Sequence, residues 1–263
     1  MNYSYLKFEK TDFDGVFKLV IDRPNALNAL NSDVIAELQS FFEKAMNDCS
    51  IKAIVLTGGG EKSFVAGADI KEMVNLTAQD SMNFARKGQQ LLLTMYNCPK
   101  PIIAAVNGYA LGGGFEMSLC CDMIFASENA KFGFPEVTLG IIPGFGGTQI
   151  LRRLVGEKAA KYLILSGEII SAAEAYRMNV VNRLFKTPEE VVSGAVEFAA
   201  KIAKNSPSSV AYAKKAVNVS FDLSLERGLE YESSLFGTLF NTEDQKEGMK
   251  AFIEKRKAEF KGK

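Results

Sequence analysis

Short strand-like runs alternate with longer amphipathic ones along this chain, and that alternation narrows its architecture more than any other feature. Val16 to Ile21, Ala53 to Thr57, Ile102 to Val106 and Met123 to Ala126 read as strands, the middle two heavily apolar. Between them, Ser32 to Cys49 sets Val34, Ile35, Leu38, Phe41, Phe42 and Ala45 on one stripe, the spacing of an amphipathic helix. A second helix is expected from about Ala78 to Met95. Such alternation predicts an α/β layered domain. Past residue 185 the signals turn helical. Thr187-Pro-Glu-Glu190 combines an N-cap, a proline at the first helical position and a glutamate at the third. Ser206-Pro207 opens another helix in the same way, and Thr242-Glu-Asp-Gln245 a last one. We expect an α/β core over 1–205 and a helical region over 206–263 that covers its own domain or packs on a neighbouring subunit.

Composition removes several kinds of chemistry. Histidine is absent, so neither a Ser-His-Asp nor a Cys-His arrangement can form, and imidazole-based zinc sites are excluded. Acid/base work falls to carboxylates, Lys, Tyr or Cys. The four cysteines, Cys49, Cys98, Cys120 and Cys121, have no C-x-x-C spacing and read as free thiols. Lys+Arg and Asp+Glu both number 31, so net charge gives no reason to expect a nucleic-acid partner. The polar amino terminus is unlike a secretion signal, and no apolar run approaches the roughly 20 residues of a membrane span. A cytoplasmic protein with no membrane association is expected.

Three glycine-rich or small-residue segments carry the candidate chemistry. Ala110-Leu-Gly-Gly-Gly-Phe-Glu116 follows an apolar strand and precedes an apolar helix, which places the Gly113 N–H at a helix start. Phe132-Gly-Phe-Pro-Glu136 brings a second carboxylate, with Pro135 holding Phe134 extended. Upstream, Phe64-Val-Ala-Gly-Ala-Asp-Ile-Lys71 is another tight turn from which a backbone N–H can point at a ligand oxygen. Two backbone donors make an oxyanion hole, and two carboxylates beside it can move protons. Taken singly, each segment also reads as an ordinary turn or helix cap. Their conjunction points to chemistry beside a polarised carbonyl. Two other glycine-rich stretches fail as nucleotide motifs. Thr57-Gly-Gly-Gly-Glu-Lys-Ser63 has Glu61 interrupting the Gly-Lys step, and Gly144-Phe-Gly-Gly-Thr148 lacks the last glycine of a dinucleotide fingerprint and reads as a helix-opening turn.

The sequence resembles the crotonase family, the enoyl-CoA hydratases and isomerases, and most of all the hydratases of short acyl chains. The resemblance rests on Arg23-Pro-Asn-Ala-Leu-Asn28, Phe64 to Lys71, Pro101 to Glu116, Phe132 to Gly140, Pro143-Gly-Phe-Gly-Gly-Thr148 and Glu247 to Arg256. It implies a spiral of ββα units with a C-terminal helical trimerisation region, a homotrimer or a hexamer of two trimers, and an acyl-CoA thioester substrate with no separate cofactor and no metal. It further implies that the N–H groups of Ala68 and Gly113 hold the thioester oxygen while Glu116 and Glu136 flank the double bond. Having both glutamates favours hydration over isomerisation, the alternative reading; a non-catalytic RNA-binding relative is the alternative of another class. Contacts to coenzyme A are implied for Ala26, Leu27, Ala66, Ala68, Asp69, Ile70, Lys71 and Gly113, with Phe252 and Lys255 from the tail. Phe115 and Phe134 depart from the commoner residues at their positions.

Overall fold

A computed structural model describes residues 3–263. The chain starts with β1 (Leu6–Lys10), β2 (Val16–Ile21) and helix α1 (Ser32–Ala45). It then repeats one unit three times: strand, strand, helix. The first turn is β3 (Ala53–Gly58), β4 (Ser63–Val65), the single-turn α2 (Ile70–Met73) and α3 (Ala78–Tyr96). The second is β5 (Ile102–Val106), β6 (Tyr109–Leu111) and α4 (Gly113–Cys120). The third is β7 (Met123–Ser127), β8 (Lys131–Gly133), a 3-10 turn over Pro135–Leu139, α5 (Gly147–Val155) and α6 (Glu157–Ser166). After these come β9 (Ile169–Ser171), α7 (Ala172–Arg177), β10 (Arg183–Phe185), α8 (Pro188–Ile202), and then only helices: α9 (Pro207–Val219), α10 (Leu225–Leu239) and α11 (Glu243–Ile253).

In each repeat the first strand joins one sheet and the second strand joins another. The larger sheet runs β1-β2-β3-β5-β7-β10 and the smaller β4-β6-β8-β9. Pairing is parallel except for β1 with β2 and β8 with β9. This is the expected spiral of ββα units. Central strands of the larger sheet are covered on both faces, which explains their unbroken apolar runs. Ile54, Leu56, Ala104 and Val106 belong to the main core with α1 and α3, while Val55, Ile103, Ala105 and Phe125 meet Val191, Ala195 and Ala199 of α8 on the other face. Burying one such Ile, Leu or Phe side chain contributes about 1.5–3 kcal/mol.

The helix starts match the sequence reading. Thr187, Ser206 and Thr242 each accept the backbone N–H three residues on, and α1 is capped by Asn31 accepting from Val34. Helix α1 stops at Ala45, short of Cys49, because Asp48 accepts the Ser50 N–H and O–H and holds a turn in place of the last helical residues. Helix α9 buries no residue of its own and is tied to the core by polar contacts instead. Lys214 Nζ lies 2.8 Å from Asp122 Oδ2. Asn218 Nδ2 donates to the Tyr96 carbonyl at 2.8 Å, and the Tyr96 hydroxyl returns a bond to the Asn218 carbonyl at 3.0 Å. Helix α10 buries nothing either. None of the helices among the described residues is long and apolar enough to cross a membrane.

Candidate active site

The turns that close the three repeats converge on a cavity of about 1040 Å³. Ala66, Ala68, Ile70, Gly113, Glu116 and Glu136 all border it. Neither the Ala68 nor the Gly113 N–H finds an acceptor among the described residues. For Gly113 the reason is position, since it is the first residue of α4, where N–H groups have no intrahelical partner. For Ala68 it is register: the neighbouring pairs Leu30 N–H to Gly67 O and Asp69 N–H to Leu30 O bridge the turn and leave the amide between them open.

Glu116 lies one helical turn into α4 and is only 1 % exposed. Its Oε1 accepts from the Phe145 N–H at 2.9 Å and the Gly147 N–H at 2.7 Å. These amides belong to the loop that opens α5, so the carboxyl sits at a second helix start. Burial raises its pKa overall, and the backbone amides of Gly147, Phe145 and Gly146 offset only part of that rise. Gly147 must lack a side chain for this contact. A Cβ there would come within 2.7 Å of the Phe134 ring and 3.0 Å of Glu116 Cγ.

Glu136 is held differently. It comes from the 3-10 turn after Phe134, and its Oε2 is buried without a hydrogen-bond partner among the described residues. The carboxyl lies over the glycine turn that precedes α4. Gly112 has φ +48°, and a Cβ on it would fall 2.6 Å from Glu136 Oε1, so both conformation and space demand glycine there. Burial pushes the Glu136 carboxyl up to about 7, with the charge of Glu116 acting in the same direction. Behind the pair stands an aromatic wall. Phe134 stacks on Phe115 at 4.7 Å between centroids, and Phe115 meets Phe132 at 5.3 Å; all three are fully buried.

The remaining sequence-named residues lie outside the cavity in the single chain. Asp69 caps α2 by accepting the Lys71 N–H and pairs with Arg23 at 2.7 Å, which holds its carboxyl below the usual range. Lys71 is exposed beside it, Ala26 and Leu27 stand on the turn before α1, and Phe252 and Lys255 are exposed at the end of α11. Gly58 to Gly60, the failed phosphate loop, is occupied within the protein: Asn107 donates to the carbonyls of Gly58 and Gly60, and Asn28 to that of Gly59. Among the described residues no group of three or more Cys, Asp or Glu gathers as a metal-ligand set.

Sequence reasoning missed the amides of Phe145 and Gly147. Apart from its place in the family resemblance, the stretch reads in sequence as a helix-opening turn, yet a glycine pair at a helix start is itself an anion-binding signal, and here the anion is a side chain of the same protein.

Comparison with known proteins identifies the family. The sequence profile described as Enoyl-CoA hydratase/isomerase matches residues 11–263. A short-chain-enoyl-CoA hydratase of Clostridium acetobutylicum is 48% identical over 241 residues, covering 92% of each chain. A crotonyl-CoA hydratase of Syntrophomonas wolfei is 45% identical over 260 residues and 99% of each chain. Among solved structures, an enoyl-CoA hydratase from Bacillus anthracis superimposes with a TM-score of 0.95 at 36% identity, covering 99% of this chain and 100% of that one. With that extent of similarity, the chain belongs to the enoyl-CoA hydratase/isomerase family.

Proposed function

We propose that this enzyme reversibly hydrates short-chain 2-enoyl-CoA thioesters to 3-hydroxyacyl-CoA, using Glu116 and Glu136 as base and acid and the N–H groups of Ala68 and Gly113 as an oxyanion hole. One observation carries the reading: two buried carboxyls of unlike environment share a cavity with two amides that have no acceptor of their own. Addition of water at C3 drives charge onto the thioester oxygen, and each preorganised amide there is worth about 3–4 kcal/mol of barrier. Glu116, steadied by two amides, removes a proton from the attacking water as its oxygen bonds to C3. Glu136, neutral below its pKa of about 7, delivers a proton to C2 as the enolate collapses. Dehydration runs the same steps backwards. Either direction needs one proton on the pair, because two adjacent buried carboxylates repel when both are ionised.

The nucleotide part of the substrate extends past Ala66 and Ile70 toward Ala26, Leu27, Asp69 and Lys71, with Phe252 and Lys255 supplied from the tail. No cofactor other than the CoA carried by the substrate enters the scheme. The cytoplasm suits four free thiols. Residues 206–263 serve as an oligomerisation region for a trimer or a pair of trimers. Supporting this, α10 exposes Leu225, Leu229 and Phe236, an apolar face that one chain leaves unpaired.

The decisive measurement is the loss of conjugated enoyl absorbance when crotonyl-CoA is added, with product analysis for the 3-hydroxyacyl ester. Hydration removes that absorbance, whereas shifting the double bond without water yields no hydroxyl. If the absorbance persists at any enzyme concentration, the assignment fails.

A further inference from the structure

A glycine in the middle of a long helix points to how this enzyme sets the length of the acyl chain it accepts. Helix α3 has 19 residues, and Gly88, buried at its centre, has neither a positive φ nor a turn to explain it. Glycine in a helix interior costs about 1 kcal/mol relative to alanine. Its neighbour supplies the reason. A Cβ on Gly88 would lie 2.3 Å from Cδ1 and 2.4 Å from Cε1 of Phe145, so the ring occupies a notch that only glycine leaves open. The opposite edge of the same ring, Cδ2 and Cε2, would be 3.3 and 3.4 Å from a Cβ on Gly113. Phe84 of α3 packs against it at 5.5 Å between centroids, and the residue is 5 % exposed. The ring therefore fills the gap between the middle of α3 and the first residue of α4.

We infer that Phe145, seated in the Gly88 notch, is the specificity-determining residue that ends the acyl site and confines the enzyme to short chains. The inference rests on the reaction proposed above and names a feature of its substrate. If the thioester oxygen is held at the Gly113 N–H and C3 stands beside Glu116, the acyl carbons beyond C3 run toward the residues around that glutamate. Glu116 Oε1 is bonded to the Phe145 N–H itself, so the ring borders the space those carbons must enter. Phe145 thus holds the base through its backbone and limits the acyl tail through its side chain. A side-chain substitution keeps the first contact and removes the second.

The test compares crotonyl-CoA with 2-decenoyl-CoA in the full-length enzyme. Wild type should hydrate the longer ester with a kcat/KM at least about tenfold lower, the scale on which an apolar pocket discriminates by a few methylenes. Phe145→Ala opens the room of a phenyl ring. It should raise the decenoyl-to-crotonyl ratio of kcat/KM by about tenfold or more, even if both absolute values fall. Phe145→Leu should give an intermediate ratio and serves where the alanine variant does not fold. Calorimetry with decanoyl-CoA and butyryl-CoA, saturated esters that cannot be hydrated, should show the same reversal in relative Kd. Parallel loss on both esters with an unchanged ratio would mean that the ring only supports the Glu116 loop and would overturn the inference. So would a wild type that takes 2-decenoyl-CoA as readily as crotonyl-CoA, with the tail leaving through the open mouth beside Met82 and Ile142. Discrimination between the saturated esters that Phe145→Ala relaxes, with no turnover of any enoyl ester, would uphold this inference while refuting the hydratase reading.

Discussion

Glu116 and Glu136 are the same residue type facing the same cavity, yet the protein treats them in opposite ways. Glu116 is on a rigid helix and has one oxygen fixed by two backbone amides at the start of α5. Glu136 is on a single 3-10 turn, with one oxygen buried and unpartnered. Burial raises both carboxyls; backbone amides of the α5 loop oppose the rise at Glu116, whereas at Glu136 only its own backbone N–H does. The difference fits the division of labour proposed above. The held carboxyl suits a base that must aim at water, and the unpartnered one suits an acid whose proton has nowhere else to go. An orphaned buried oxygen costs about 1–3 kcal/mol, a cost that substrate binding can relieve by bringing a partner into place.

Removing either side of this contrast should have the largest effect. Glu136→Gln keeps the shape and removes the transferable proton, so kcat for crotonyl-CoA hydration should fall by about 10²–10⁴-fold with KM little changed. Glu116→Gln should cost as much. Wild-type-like turnover in either variant would dissolve the acid/base assignment. Gly147→Ala attacks the restraint rather than the carboxyl. Its Cβ would press on Phe134 and on Glu116 Cγ and displace the N–H that holds the base, so a loss of roughly 10–100-fold in kcat is expected. A Gly147→Ala enzyme with unaltered kcat would show that the amide bond to Glu116 does not matter for aim.

How much of this could be read from the sequence follows the same divide. Long, strongly patterned elements were legible: the strand Ile102–Val106 has the expected bounds, and α3 ends one residue past its expected end. Strands β4, β6, β8 and β9 have only three residues each, too few for a period of two to show, so the smaller sheet came only from the family resemblance. Glu116 and Glu136 stood out because glycine-rich turns adjoin them. The amides of Phe145 and Gly147 did not, because backbone donors carry no side-chain signature and their target lies 29 and 31 residues upstream. The Gly88 notch was hidden for a related reason: a small residue on a helix shows a need for space but not which distant ring fills it.

Phe134 offers a gentler way to test the contrast. Its buried ring stacks on Phe115, and Phe134→Gln would place an amide within that aromatic wall. A polar neighbour lowers the cost of ionising a buried acid, so the Glu136 pKa should drop from about 7 toward the ordinary carboxylate range. Wild-type kcat/KM should fall as pH rises through about 7, where Glu136 loses its proton, and in Phe134→Gln that alkaline limb should move to lower pH. The rate at the optimum should change by less than about tenfold, since the reacting groups remain. A limb that stays fixed would separate the aromatic wall from the proton affinity of the acid.

The smallest expected effect is on stability. The folded Glu136 titrates near 7, above the 4.5 of an ordinary glutamate, so the folded state holds this proton more tightly than the unfolded chain. The stabilising contribution is full below about 4.5, where both states are protonated, and it is lost as pH rises through about 7. Glu136→Gln carries no ionisable group and escapes that loss. Relative to wild type, its Tm should therefore be higher at pH 8 than the same comparison gives at pH 5, by a few degrees at about 2–4 °C per kcal/mol for a chain of this size. Both proteins must be melted at equal concentration, because an oligomer's Tm depends on it. A pH-independent difference between the two melting curves would mean that Glu136 is ionised in the free enzyme at neutral pH, and the division of roles between the two carboxyls would then have to arise only after substrate binds.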